Sequence, residues 1–184
     1  GKNDAAWQPL VDELRAKPPL KAQFEEHRFF PFKKGFTRLD GEIRLDPVRG
    51  LSLHYTAPEN QLMVVDQQGG FMANAKGHRR ELPDNPRARA ATSALLHVLR
   101  FDLRTLADDF TIYAARDGSA WRFAFIPRPG DLAGVLNPIT ITGDHGLVRL
   151  IEMKKSARER VEIHIGQTDT GVTFTPDEIA RYFR

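Results

Sequence analysis

The chain has 184 residues, of which 41% are hydrophobic, and its 27 basic and 24 acidic side chains leave a formal net charge of +3. That length supports one domain with a single core, burying about 70% of the unfolded surface, and the near balance of charge disfavours disorder. No apolar run approaches the ~18 residues of a membrane span, and the absence of cysteine excludes disulfides, thiol catalysis, thiolate metal sites and a thioether-linked lipid.

Asp4 to Ala16 places Trp7, Leu10, Val11 and Leu14 on one face at helical spacing, and Pro18-Pro19 stops the pattern, so an amphipathic first helix is predicted. From Leu20 the period becomes two, with Ala22, Phe24 and Glu26 sharing one side. Turn signals at Asp40-Gly41, Asp46-Pro47, Ala57-Pro58 and Gln68-Gly69-Gly70 accompany strands expected over 20–30, 39–46, 50–56, 61–67 and 70–76. Phe29, Phe30, Phe32 and Phe36 form an aromatic stretch after the first strand, expected to pack in the core, with rim anchoring or cargo contact as the alternative.

Over 84–110 the pattern is helical: Asn85 can cap, Pro86 suits the first helical position, and Ala91, Ala94, Leu95, Val98 and Leu99 make an apolar stripe. Asp102 to Asp109 predicts one further short helix. Phe110 to Tyr113, a turn at Asp117-Gly118, and Trp121, Phe123 and Phe125 alternating with Arg122 and Ala124 predict a hairpin. After a Pro/Gly-rich loop at 127–138 come Ile139–Thr142, a turn at Gly143-Asp144-His145-Gly146, Leu147–Met153 and the alternating Val161 to Ile165. Thr175-Pro176-Asp177-Glu178 has capping-box spacing, and Ile179, Tyr182 and Phe183 give the last helix an apolar side.

Two sequential groups of strands with helices at the start, middle and end predict an α+β fold. The expected form is a curved antiparallel β-sheet making an incomplete, half-open β-barrel of about ten or eleven strands. Helices form its lid, and a single domain spans 1–184.

Phe24-Glu25-Glu26-His27-Arg28, Leu39-Asp40-Gly41-Glu42-Ile43, Asp46-Pro47-Val48-Arg49-Gly50-Leu51, Tyr55-Thr56-Ala57-Pro58, Leu62 and Asp66 together resemble the LolA-like family of outer-membrane lipoprotein carriers. The order of elements extends that resemblance across nearly the whole chain, and Gly171-Val172-Thr173-Phe174-Thr175-Pro176 resembles the family's closing strand. The resemblance implies a periplasmic carrier that takes acylated cargo, a lipoprotein or a related lipid, from an inner-membrane exporter to an outer-membrane acceptor. It implies no cofactor. In the best-known carriers an arginine before the Pro of the second turn helps latch the lid, whereas Asp46 stands there in this chain. Arg44 and Arg49 do not match that position, so the latch is not carried over. A divergent branch with another cargo, such as a fatty-acyl or polyene product, is the variant this departure suggests.

A carrier must offset ~0.8 kcal/mol per exposed methylene, on the order of 10 kcal/mol for a whole acyl chain. The residues expected to line its cavity are Phe24, Leu53, Tyr55, Leu62, Val64, Trp121, Phe123, Phe125, Val161, Ile163 and Ile165, with Leu95, Leu96 and Leu99 from the lid. Each also reads as ordinary core, and packing decides between filled and hollow.

Enzymatic activity is not expected. The histidines at 27, 54, 78, 97, 145 and 164 are scattered with no metal-ligand spacing, and G-x-S-x-G and His-Glu-x-x-His are both absent. His54 and His164 alternate with apolar neighbours and are expected to face solvent. Arg79-Arg80 with Arg87 and Arg89 is too weak a basic stripe for a nucleic-acid module. Lys33-Lys34, His78-Arg79-Arg80 and Lys154-Lys155 read as solvated strand ends or turns, or, more sharply, as patches for an anionic partner or lipid surface. The chain begins at Gly1 without Met or an apolar leader, which fits a removed signal peptide or a cut within a longer chain. A monomer is expected. The rival reading with the same fold is a domain that binds lipid in order to sense it, or acts as a scaffold.

Overall fold

The computed structural model describes residues 4–184. The helices are α1 (Asp4–Ala16), α2 (Pro86–Leu99), α3 (Leu103–Leu106) and α4 (Pro176–Tyr182). The first strands are β1 (Leu20–Phe29), β2 (Thr37–Asp46), β3 (Gly50–Ala57), β4 (Gln61–Asp66), β5 (Gly69–Asn74) and β6 (Arg79–Glu81). The later ones are β7 (Phe110–Asp117), β8 (Ala120–Pro127), β9 (Ile139–Asp144), β10 (Leu147–Lys154) and β11 (Arg160–Thr170). All eleven join one sheet in the order β6-β5-β4-β3-β2-β1-β11-β10-β9-β8-β7. Two antiparallel meanders thus meet where β1 pairs with β11, from Leu20 opposite Thr170 to Phe29 opposite Arg160. The outer strands β6 and β7 do not pair, so the barrel stays open, and α2 and α3 carry the chain from one edge to the other. The β6 edge is three charged, exposed residues long, which blunts it against pairing with another chain.

Period-two alternation sends Ala22, Phe24, Ile43, Leu45, Leu51, Leu53, Tyr55, Ile163, Ile151, Ile141, Phe123 and Trp121 to the concave face. There they form one apolar cluster with Leu10, Val11 and Leu14 of α1 and Ala94, Leu96 and Val98 of α2. Two glycines allow the sheet to curl tightly around this cluster. Gly41 pairs with Phe24 on one side and Tyr55 on the other, and a Cβ there would overlap the Phe24 ring and the His54 carbonyl. Without that Cβ, the Phe24 and Tyr55 rings meet edge-to-face at 5.4 Å. The same arrangement recurs where Trp121 lies over Gly143.

The ring contact above Gly41 also brings the Tyr55 hydroxyl to Glu26, to which it donates at 2.7 Å. Glu26 is only 3% exposed, and its second oxygen accepts from Arg28 Nε at 2.5 Å. A carboxylate is therefore held inside the barrel by two donors. Burial, and then the nearby Glu26 carboxylate, push the Tyr55 phenol well above its ordinary value of 10.0.

Several expectations change. Asp40-Gly41 lies within β2 and is not a turn, because Gly41 is needed for the close approach just described. The aromatic stretch does not join the core: Phe32 is 84% and Phe36 42% exposed. The expected helix over 102–109 shrinks to Leu103–Leu106. Gly171 to Thr175 is not a strand. Gly171 takes a left-handed φ of 60°, and the Gly171 and Val172 amides donate to Lys17 and Pro19 carbonyls, which turns the chain out of the sheet.

Nor is α4 part of a lid. It packs on the convex face, where the Tyr182 ring covers the buried Arg44 guanidinium at 3.7 Å and Glu178 meets Arg44 at 3.4 Å. The capping box of Thr175 and Glu178 fixes its start. His54 lies beside the same Tyr182 ring at 5.1 Å and is covered by it, whereas His164 is half exposed against His27.

Two outcomes test this packing in urea unfolding. Gly41→Ala is expected to cost about 1–3 kcal/mol, because the added methyl overpacks the Phe24 contact. Tyr55→Phe is expected to cost about 2 kcal/mol by leaving a buried carboxylate short of one donor. The raised Tyr55 value means that the folded chain holds this proton more tightly than the unfolded chain. Its stabilisation is therefore fully present below pH 10.0 and is lost as pH rises toward the folded value, so Tyr55→Phe should flatten the alkaline loss of stability.

Candidate functional site

Beneath α1 and the end of α2 the concave face leaves an apolar hollow of about 60 Å³. Leu14 and Pro18 roof it from one side, and Leu99 and Phe101 from the other. Its walls are Leu20, Ala22, Ile43, Leu45, Leu51, Ile141, Val148, Ile151 and Ile165, with Lys17, Gly146, Leu147, Thr168 and Thr170 at the rim. The hollow is small: an engineered cavity of about 150 Å³ holds one benzene ring. The rest of the interior is filled by side chains. Trp7 meets Phe123 at 5.2 Å, and Phe101 stands edge-on to Phe123 at 5.7 Å and to Trp121 at 6.0 Å.

The roof has a built elbow. Phe101, buried at 3% exposure, follows α2 with a φ of 54°, a left-handed conformation that a bulky residue holds only when its surroundings enforce it. Its contacts with Trp121 and Phe123 supply that enforcement. Asp102 next to it caps α3 by accepting from the Thr105 amide and hydroxyl, and it reaches Arg15 of α1 at 3.5 Å and His97 of α2 at 3.2 Å. Partial burial acts to raise its pKa, but the Thr105 hydrogen bonds and the Arg15 and His97 charges outweigh this and hold the carboxylate below its ordinary range. Asp102 therefore ties both roof helices together.

Asp46 does different work. Its carboxylate accepts from the Val48 and Arg49 amides at 2.8 and 2.9 Å and so fixes the β2–β3 turn. No latch passes through this position.

Of the fourteen residues expected at the cavity, Leu99 and Ile165 line the hollow. Phe24, Leu53, Tyr55, Trp121, Phe123, Phe125, Val161 and Ile163 lie on the concave face but pack against one another, against the helices or against the β-strands beside them. On α2, Leu96 is buried and Leu95 half-buried against the same cluster. Leu62 and Val64 face the other way. They pair with His54 and Ser52, whereas Leu51 and Leu53 pair with Val65 and Met63, so parity puts Leu62 and Val64 on the convex side. The lining residues not anticipated include Leu14, Leu45, Leu51, Phe101, Ile141 and Ile151. Ile43 and Leu45 flank Arg44 in the alternation that could have revealed them. Among the described residues, no three His, Cys, Asp or Glu side chains converge as metal ligands, and no helix is long and apolar enough to cross a membrane.

No family model and no curated protein matches the sequence. Solved structures do. A chain of the Pseudomonas aeruginosa MucA/MucB complex superposes with a TM-score of 0.50 at 14% identity over 95% of this chain, which spans only 59% of that one. A DUF1329 family protein from Desulfovibrio piger superposes with a TM-score of 0.51 at 8% identity over 93% and 94% of the two chains. A LolA superfamily protein from Nitrosomonas europaea gives 0.47 at 6% identity over 94% and 96%. At these identities the likeness is one of fold, and the open, eleven-stranded antiparallel barrel with helices is the architecture expected from the sequence.

Proposed function

We propose that this chain is a periplasmic carrier that opens its helical roof to shelter the hydrocarbon of an acylated cargo, a lipoprotein or a related lipid. It would take that cargo from an inner-membrane exporter to an outer-membrane acceptor and would have no catalytic step or cofactor. The observation that supports this reading is the apolar hollow beneath α1 and the Leu99-Phe101 elbow, with polar groups only at its rim.

At about 60 Å³ the hollow admits no acyl chain while the roof is closed, so loading requires α1 or the elbow to move. The energetics suit such an exchange. Burial of Leu10, Val11 and Leu14 stabilises the closed roof by about 1.5–3 kcal/mol each. An acyl chain of about a dozen carbons recovers on the order of 10 kcal/mol from the same surface. Cargo and roof helix are thus comparable occupants of one apolar face, and neither holds it irreversibly. The strained Phe101 backbone and the Asp102 tie mark where the roof would swing.

A second reading is a lipid-sensing or scaffold domain with the same fold; the likeness to a chain solved in a protein–protein complex, MucA/MucB, bears on the scaffold form of it. Transfer decides between them. A carrier moves a labelled acylated peptide from donor to acceptor vesicles faster than it exchanges without protein, whereas a sensor binds without accelerating transfer.

Two further results are expected. Mass spectrometry of solvent extracts of protein purified from its native host should find an acyl-containing molecule at near-stoichiometric yield, and extracts without one would remove the reading. Leu99→Asp, at the half-buried edge of the hollow, should retain the fold by circular dichroism while weakening uptake of a fluorescent fatty acid tenfold or more. Unchanged uptake would displace Leu99 from the roof.

A further inference from the structure

The β1–β2 connection projects from the end of the barrel opposite the rim of the hollow. The ten residues of β1 put about 30 Å between the two ends. At its tip Phe32 is 84% exposed, the most exposed large hydrophobic side chain among the described residues, and Phe36 is 42% exposed. These rings are held in place. Phe30 stacks on Phe32 at 5.4 Å, Phe36 lies on His27 at 3.9 Å and beside Phe29 at 5.4 Å, and Gly35 turns the chain with a φ of 72°. Lys33 is steadied by a 2.8 Å hydrogen bond from its ammonium group to Thr37.

The tip of the β10–β11 hairpin stands beside this loop, because Phe29 pairs with Arg160, whose guanidinium covers the Phe29 ring at 3.7 Å. The two tips together carry Lys33, Lys34, Lys154, Lys155 and Arg158 against the single acid Glu159, which pairs with Lys155. This small surface therefore bears more positive charge than the +3 of the whole chain. Exposed aromatic rings in a ring of cations are costly in water unless something covers them.

We propose that this paired tip docks the protein on an anionic phospholipid surface, with Phe32 entering the headgroup layer and the lysines meeting lipid phosphates. The tip projects rather than forming a groove, so it suits a deformable interface better than a pocket on a protein. Aromatic rings at headgroup depth flanked by lysines are the chemistry of such an interface. Docking at this end leaves the rim of the hollow facing away from the bilayer, so its test is separate from that of cargo uptake.

Co-sedimentation of the full chain with vesicles of phosphatidylethanolamine and phosphatidylglycerol, against vesicles of phosphatidylcholine alone, tests the proposal. Binding to the anionic vesicles is expected to weaken as salt shortens electrostatic reach. Phe32→Ser should weaken binding about tenfold, and Lys33→Glu with Lys34→Glu by at least about twenty-fold, with circular dichroism and fatty-acid uptake as in the unsubstituted chain. Phe32→Trp should add blue-shifted fluorescence on anionic vesicles only. Failure of the unsubstituted chain to bind them, binding unchanged by these substitutions, or an unshifted Phe32→Trp emission would each overturn the proposal. Unaltered fatty-acid uptake alongside any of these would show that the carrier reading stands without it.

Discussion

The curl of the sheet depends on a missing side chain. Strands two apart lie about 9.5 Å from each other, so residues on β1 and β3 do not ordinarily touch across β2. At Gly41 they do. The Phe24 and Tyr55 rings close over the empty position, and the tyrosine hydroxyl reaches Glu26. Trp121 over Gly143 repeats the device in the second meander. These two points bend the sheet into a trough with an apolar inner face, and the placing of the helices follows from the need to cover it.

That covering is what makes a nearly filled interior compatible with the proposed carrier role. An open apolar trough would expose surface that aggregates, and α1 and the end of α2 occupy the trough themselves. The small hollow under Leu14, Leu99 and Phe101 is where this cover fits least closely. The tie that joins the two roof helices there runs through Asp102, Arg15 and His97 and is partly exposed to solvent. Ion pairs of that kind contribute at most about 1 kcal/mol and yield readily.

The convex face follows another logic. Arg44 is almost wholly buried there, yet it lies between the Tyr182 ring and the carboxylates of Glu42 and Glu178, so its charge is paired. Asp46, at the second turn, spends its carboxylate on the β2–β3 connection, and the tie between helices arises elsewhere in the chain, at Asp102. At the far end of the barrel the exposed aromatic and basic tip, with Phe32 at 84% exposure, takes no part in either face of the sheet.

Order and kind of the elements were legible in the sequence because they rest on local periodicity and turn chemistry. The strand runs from Leu20 to Ile165, the cap at Asn85 and the box at Thr175 each declare themselves within a few residues. The resemblance carried by the residues from Phe24 to Asp66 added the half-open barrel. Which face of each strand points inward was not legible. Leu62, Met63, Val64 and Val65 form an unbroken apolar run in which period two picks no face, and only pairing across β3 and β4 sends Leu62 and Val64 to the side opposite Leu51 and Leu53. Gly41 read locally as a turn, since its reason for being glycine is a ring on a neighbouring strand. The volume left inside the barrel and the face that α4 covers depend on contacts between segments distant in the chain, and such contacts leave no periodic trace in the residues that make them.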